Sequence, residues 1–177
     1  VRQITQTLDR KTLWLTGDDP ETRSLLDNIG LARLQTLIGQ NEVVVVDDLS
    51  TGRESNLNPR ARFYKLDIRD PKLADVFERE QPEIVDHHAA QMDVRRSVAD
   101  PLFDADVNVR GTINLLECSR TFGVRKVVYI STGGAVYGEP EYLPCDEDHP
   151  INPVCQYGVS KHVAEHYLYV YRALYGL

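Results

Sequence analysis

Two side chains in the last third of the sequence, Tyr157 and Lys161, have the types and the spacing that proton transfer needs. They lie four residues apart in a segment with helical apolar spacing, so the phenol and the ammonium share one helix face. A free tyrosine has a pKa of about 10. A neighbouring ammonium favours the phenolate and brings it within range of acting as a base. The pair therefore predicts the proton-transferring groups of an oxidoreductase-type site.

Two hydroxyl residues, Ser131 and Thr132, supply further polar groups for such a site. They follow a strand-like apolar run, 126–130, so their hydroxyls can hydrogen-bond a substrate hydroxyl or the phenolate. A tyrosine and a lysine at this spacing also occur as a surface aromatic beside a solvated lysine. The strand and the Ser-Thr-Gly-Gly turn that precede them favour the site interpretation.

Apolar runs of strand length alternate with helical patterns along the chain. The predicted strands are 12–17, 43–47, 61–66, 83–86 and 126–130, and the clearest predicted helices after residue 43 are 71–79, 101–122 and the segment that begins at Tyr157. This alternation predicts an α/β fold, a doubly wound parallel sheet of Rossmann-like type, in a single domain over residues 1–177. Residues 43–47 form a continuous β-branched run, which predicts burial on both faces. Asp47 ends that strand, at the sheet edge where open α/β folds bind ligands.

Composition excludes several classes of protein. The 177 residues carry a formal net charge of −7 and no basic run, which argues against a nucleic-acid surface. No apolar stretch reaches membrane-spanning length, and the first residues lack a signal-peptide pattern. Cys118, Cys145 and Cys155 have neither disulfide nor metal spacing, so reduced thiols in a cytoplasmic protein are expected.

Six motifs resemble those of the extended short-chain dehydrogenase/reductase family, and within it the nucleotide-sugar epimerases of the UDP-glucose 4-epimerase type. The motifs occur in family order and with family-like spacing. They are VVVVDDLSTG (43–52), LDIRD (66–70), HAAQMDVRRSVADP (88–101), NVRGTINLLE (108–117), STGGAVYGE (131–139) and the Tyr157–Lys161 pair.

The resemblance implies a nucleotide-sugar epimerase with NAD as its cofactor. Asp47, with Asp48 beside it, would bind the adenosine ribose and repel the extra phosphate of NADP. Tyr157 would take a proton from the sugar 4-hydroxyl during transient hydride transfer, which forms a 4-keto intermediate, and Lys161 would bind the nicotinamide ribose and lower the pKa of Tyr157. The other residues implied at the cofactor are Asp67 and Ile68 at the adenine, Ala89, Ala90 and Gln91 towards the nicotinamide, Asn108, and Gly17 in the glycine-rich turn.

The turn after residue 131 distinguishes between related reactions. Similar 4,6-dehydratases carry an Asp-Glu pair where this chain has Gly134 and Ala135, which cannot transfer protons, so epimerisation is favoured. The hydroxyl residue of many epimerases aligns with Gly133. Thr132 is the expected substitute, with Ser131 second. A UDP-hexose is the expected substrate.

The sequence departs from the family pattern at both ends. Only Thr16-Gly17 remains of the expected glycine-rich turn, so residues 1–42 are atypical, although a second register matches Asn28-Ile29-Gly30. The sequence stops before the position of the family's C-terminal substrate domain, so the chain is expected to lack that domain. The chain is therefore expected to be the cofactor-binding portion of a truncated epimerase, with or without activity. The alternative is a catalytically inactive remnant that acts as an interaction module.

Two other patterns carry expectations. His162, Glu165 and His166 match the HxxEH pattern of some zinc peptidases, but they lie on the Tyr157 helix, where the resemblance implies no metal. Helices 101–122 and 157–175 correspond to helices that similar enzymes use for dimerisation, so a homodimer through them is expected.

Overall fold

Short strands alternate with helices along residues 43–177, the part of the chain that the computed structural model describes. The strands are β1 (Val44–Asp47), β2 (Arg62–Lys65), β3 (Ile84–His87) and β4 (Lys126–Tyr129). The α-helices are α1 (Leu73–Glu80), α2 (Val94–Ala99), α3 (Pro101–Ala105), α4 (Thr112–Thr121), α5 (Gly133–Tyr137) and α6 (Gln156–Tyr175). A 3₁₀ turn at Glu54–Asn56 lies in the loop after β1, and a π-helical segment, Asp106–Gly111, joins α3 to α4.

All strand pairing among the described residues is parallel. Strand β1 pairs with β2 from Val44↔Arg62 to Asp47↔Lys65, and β3 pairs with β4 from Ile84↔Lys126 to His87↔Tyr129. Helices connect β2 to β3 and β3 to β4, and a loop with the 3₁₀ turn connects β1 to β2, so the predicted α/β fold with parallel strands is confirmed. The predicted strand 12–17, and with it Gly17, lies outside the described residues.

The strands agree with the sequence pattern to within one or two residues, but the predicted burial of the first is wrong. All four residues of β1 are only half-buried. Val44, Val45 and Val46 line a cavity, which keeps them accessible to solvent.

Two helices were not predicted, and both begin at polar turn residues. The Asp93 carboxylate caps α2 by accepting hydrogen bonds from the backbone N–H groups of Arg95 (2.8 Å) and Arg96 (3.2 Å). Helix α5 begins directly after Thr132, where the sequence pattern indicates only a turn. The predicted helix 101–122 is helical to Thr121, but its middle is π-helical.

The core lies between helices α1 and α4. Leu73 and Phe77 of α1 pack with Leu115 and Cys118 of α4, and Val124 in the turn before β4 completes the cluster. Full burial of an aliphatic or aromatic side chain stabilises the fold by about 1.5–3 kcal/mol. This cluster therefore holds the helical layer on strands β1, β3 and β4, whose half-buried residues surround it.

Helix α6 packs closely against helix α5 at Gly158. A Cβ added at Gly158 would lie 2.2 Å from the carbonyl oxygen of Ala135 in α5. Only a residue without a side chain permits that approach, and the approach places Tyr157 against the turn that carries Thr132. Within residues 43–177, no helix combines the length and the apolar character that crossing a bilayer requires.

Candidate functional site

A cavity of about 580 Å³ runs along strands β1 and β3 and reaches the loops at their carboxyl ends. Its volume is within the usual range for small-molecule and cofactor sites. Most of the residues predicted to contact the cofactor line it, although they come from separate parts of the sequence. They are Asp47, Asp48, Asp67, Ile68, Ala89, Ala90 and Gln91.

The loop after β1 fixes the Asp47 carboxylate. Its Oδ1 accepts a hydrogen bond from the backbone N–H of Leu49, 2.6 Å away, and Leu49 has a left-handed backbone with φ of 58°. A Cβ added at Gly52 would lie 3.2 Å from the same Oδ1. The loop therefore folds closely around this carboxylate and leaves it at the cavity wall.

The Asp67 carboxylate is held by hydrogen bonds from Arg69. Arg69 donates from Nε (3.0 Å) and from its backbone N–H (2.8 Å) to Asp67 Oδ1, and a second guanidinium nitrogen reaches Oδ2. Hydrogen bonds from the Arg69 side chain are the main reason that the pKa of Asp67 lies below its ordinary value. Arg69 Nη1 also donates to Asp106 at 2.7 Å, which connects this part of the site to the π-helical segment.

A buried network of polar side chains lies behind Gln91, and its centre is Asn108. The Asn108 amide donates to the backbone carbonyl of Gln91 (2.9 Å), to Asp104 Oδ1 (3.2 Å) and to Ser160 Oγ (3.0 Å), and its oxygen accepts from the Gln91 backbone N–H (2.8 Å). Gln91 Nε2 donates to Asp104 Oδ1 at 3.0 Å. Ser160 Oγ in turn donates to the carbonyl of Tyr157. Asn108 therefore joins the cavity wall to the first turn of α6.

The side chains of Tyr157 and Thr132 lie within hydrogen-bonding reach of each other. Burial raises the pKa of the Tyr157 phenol above its ordinary value, and a hydrogen bond with the Thr132 side chain opposes that rise. The predicted lowering of this pKa by Lys161 is not seen. The physical reason is that the lysine ammonium donates instead to the carbonyl of Ile130.

Lys161 is 3% exposed and lies with its Nζ 4.2 Å from the centre of the Tyr129 ring. Burial lowers the pKa of this ammonium to about 8, and the Glu165 carboxylate opposes the shift. Lys161 therefore stands at the end of β4, beside the strand that leads into Ser131 and Thr132.

Ser131 points to a different partner from Thr132. Its hydroxyl donates to Glu165 Oε1 of helix α6, while Thr132 contacts Tyr157. Thr132 is therefore the hydroxyl beside the phenol, and its role as the substitute hydroxyl stays a prediction.

Several residues of the site were not predicted. Asp104 and Ser160 belong to the Asn108 network, and Glu165 accepts a hydrogen bond from Ser131. Ser160 and Glu165 lie within the segment that contains Tyr157 and Lys161, at helical spacings from them, and that spacing was the available signal. No pattern in the sequence distinguishes Asp104 from a solvent-exposed aspartate.

The HxxEH residues bond one another. His162 Nδ1 lies 2.7 Å from Glu165 Oε2, and His162 Nε2 lies 3.1 Å from His166 Nε2. Over residues 43–177, no group of three or more histidine, cysteine or acidic side chains is arranged to hold a metal ion.

Comparison with known proteins places this geometry in context. Residues 28–177 match the model of the NAD dependent epimerase/dehydratase family. A Methanocaldococcus jannaschii protein is 49% identical over 150 residues, which cover 84% of this chain and 49% of that protein. The UDP-glucose 4-epimerase of Mycolicibacterium smegmatis is 46% identical over 155 residues, which cover 84% of this chain and 50% of that enzyme.

Solved structures agree. The Thermotoga maritima UDP-glucose 4-epimerase with UDP-glucose superposes with a TM-score of 0.78 at 41% identity, covering 81% of this chain and 48% of that one. The Thermus thermophilus enzyme in complex with NAD gives a TM-score of 0.74 at 45% identity, covering 77% of this chain and 44% of that one. The chain spans about half the length of the curated relatives it matches.

Proposed function

Since this chain belongs to the NAD dependent epimerase/dehydratase family, we propose that it is the cofactor-binding portion of an NAD-dependent nucleotide-sugar epimerase of the UDP-glucose 4-epimerase type. One observation carries the proposal. Residues expected at the cofactor from three separate motifs line one cavity, and Thr132, Tyr157 and Lys161 lie near the end of β4. UDP-glucose 4-epimerase relatives at over 40% identity support the same reaction class.

The cavity residues fit NAD. Asp47 presents a carboxylate held by its own loop, which suits the ribose hydroxyls of an adenosine and disfavours a phosphate on that ribose. Asp67 and Ile68 would lie at the adenine, and Ala89 and Ala90 offer small side chains along the cavity wall. His87, 2% exposed, has a ring nitrogen, Nδ1, without a hydrogen-bond partner in the described residues, and this residue also lines the cavity.

NAD, when bound, supplies the hydride acceptor and donor of the reaction. The chain supplies the proton transfer. Tyr157, with Thr132 hydrogen-bonded to it, would hold and return the proton of the sugar 4-hydroxyl. Because burial keeps Tyr157 protonated in the geometry described, the phenol needs a further positive charge before it acts as a base. Lys161 is the nearest such group along the helix, one turn away, and would complete the site by turning from Ile130 towards the cofactor ribose.

The substrate and the assembly belong to the same proposal. The T. maritima relative binds UDP-glucose, which supports a UDP-hexose as the substrate class here.

Helix α6 carries exposed apolar side chains, among them Tyr169 (71% exposed) and Leu174 (67%). We propose that they pair with a second copy of the chain, as expected for helices 101–122 and 157–175. Sedimentation equilibrium should give twice the monomer mass, and a monomer mass throughout would contradict the pairing. Localisation in the cytoplasm stays a prediction.

The test is NAD binding to the 177-residue chain by calorimetry. We expect micromolar affinity that is lost in Asp47→Ala and kept in Asp75→Ala, an exposed carboxylate on helix α1 that does not line the cavity. A UDP-glucose to UDP-galactose assay then follows, with Tyr157→Phe as the inactive control. No binding at millimolar NAD would contradict the proposal and favour the inactive interaction module instead.

A further inference from the structure

Glu165 lies where helix α6 meets the end of β4, and both of its carboxylate oxygens have partners. Oε1 accepts the hydroxyl hydrogen of Ser131, which follows β4. Oε2 lies 2.7 Å from His162 Nδ1. Glu165 is four residues after Lys161, so the two side chains lie on one face of the helix. The carboxylate therefore connects the catalytic helix to the strand that leads into Thr132.

The histidines on the outer side fix the direction of these hydrogen bonds. A carboxylate only accepts, so His162 donates from Nδ1 and a neutral His162 ring has its lone pair on Nε2. His166 Nε2, 3.1 Å away, is then the donor to that lone pair. Every hydrogen bond of this group points towards Glu165. The side chain of Glu165 is 36% exposed, so its position depends on these contacts more than on burial.

Lys161 is joined to the same two elements. Its ammonium donates to the carbonyl of Ile130, the residue before Ser131, and its backbone carbonyl accepts a long hydrogen bond, 3.4 Å, from Tyr129 Oη. Lys161 has electrostatic interactions with three groups: the Tyr129 ring, His87 and Glu165. Of these, the Tyr129 ring face and the Glu165 carboxylate favour the charged form of the lysine, and only Glu165 does so with a full negative charge.

We propose that Glu165 is a positioning residue: through Ser131 it clamps helix α6 to the end of β4, and its negative charge keeps the buried Lys161 ammonium protonated at Ile130. The clamp also gives the hydroxyls of Ser131 and Thr132 different partners. Ser131 is occupied by Glu165, which leaves Thr132 for Tyr157. The catalytic meaning of the clamp rests on the proposed function, whereas the clamp itself is a property of the fold.

The experiment is an NMR titration of the Lys161 side chain in the 177-residue chain, with Lys161→Met to assign the signal. Glu165→Gln keeps the size of the side chain and an oxygen for Ser131 but removes the charge. We expect it to lower the titration midpoint of Lys161 by about one pH unit, the size of effect that loss of a nearby opposite charge produces. Glu117→Gln is the matched control, because Glu117 also accepts a hydroxyl hydrogen bond, from Tyr171, and does not act on Lys161. It should leave the midpoint unchanged.

A second variant tests the clamp separately from the charge. Ser131→Ala keeps the carboxylate but removes the hydrogen bond that holds it at β4, so the midpoint of Lys161 should fall by a smaller amount than in Glu165→Gln. A wild-type midpoint in Glu165→Gln would overturn the electrostatic role, and a wild-type midpoint in Ser131→Ala would overturn the clamp. The titration needs neither NAD nor a sugar. A chain that fails to bind NAD therefore still gives a result here, and the two proposals fail separately.

Discussion

The amide of Asn108 and the hydroxyl of Ser160 are hydrogen-bonded at 3.0 Å, which joins the π-helical segment to the first turns of helix α6. Asn108 is 2% exposed, and its side chain also bonds both backbone groups of Gln91. The Asn108 side chain therefore connects the π-helical segment to helix α6, although the two bonded residues are more than fifty positions apart in sequence. Its removal leaves buried donors and acceptors without partners, which is more costly than the loss of an exposed hydrogen bond.

We expect Asn108→Ala to lower the free energy of unfolding by about 2–4 kcal/mol, because the Gln91 backbone N–H and carbonyl both lose a buried partner. Urea unfolding followed by circular dichroism measures this. Asn58→Ala is the matched control, since Asn58 bonds the Arg60 backbone N–H at an exposed turn. It should cost less than about 1 kcal/mol. An equal decrease in the free energy of unfolding in both variants would show that the buried network stabilises the fold no more than an exposed hydrogen bond does.

His87 gives a prediction for the pH dependence of stability. The residue is 2% exposed, and burial is the largest cause that lowers its pKa from the ordinary 6.5 to about 4. Between these two values the unfolded chain binds a proton at this imidazole and the folded chain does not. Stability is therefore present in full above pH 6.5 and falls as the pH drops towards 4, by up to about 3 kcal/mol.

The measurement is the urea midpoint of the wild type and of His87→Gln at several values between pH 6.5 and 4.5, above the range in which the shifted aspartates titrate. The wild-type midpoint should fall with acidity, and that of His87→Gln should fall much less. His88→Gln is the control, because the side chain of His88 is 66% exposed and pairs with Asp86. It should keep most of the wild-type slope, because His88 contributes less to the lowered pKa of His87 than burial or Lys161 does. A variant at His87 with the wild-type slope would disprove the assignment.

Gly158 gives a prediction for packing. In Gly158→Ala the new methyl group would lie 2.2 Å from the Ala135 carbonyl oxygen, so helix α6 has to move away from α5. We expect a loss of about 2 kcal/mol or more, as for other overpacked positions, and a weaker Tyr157–Thr132 contact. Gly134→Ala is the matched control, also in a helix, with nothing within 4 Å of the added Cβ. Its stability should change by less than about 1 kcal/mol. Thermal unfolding of both variants gives the comparison.

The strands were predictable because their signal is local. The β-branched run before Asp47 and the apolar runs before His87 and Ser131 contain enough information to locate three parallel strands. The degree of burial was not predictable, because it depends on what surrounds a strand. The run at β1 suggests burial on both faces, whereas its valines line a cavity and remain half-buried.

The candidate site divides in the same way. Tyr157, Lys161 and Thr132 are predicted from residue type and spacing, their roles stay predictions, and the structure places Thr132 beside the phenol. The direction in which the Lys161 ammonium points was not, because burial near Tyr129 and the free carbonyl of Ile130 decide it. Asp104 was missed for a similar reason: its neighbours Gln91 and Asn108 meet it only after folding.

The π-helical segment Asp106–Gly111 has a consequence for insertions and deletions. An α-helix turns by about 100° per residue, and a π-helical turn accommodates one additional residue. Deleting one residue here would convert the π-helical turn into a regular α-helical turn with little change in the phase of α4, so Leu115 and Leu116 would still face the core. The deletion would instead shift the positions inside the segment, where Asn108 contacts Gln91, Asp104 and Ser160. The additional residue of the π-helical turn therefore sets the position of Asn108 rather than the orientation of α4.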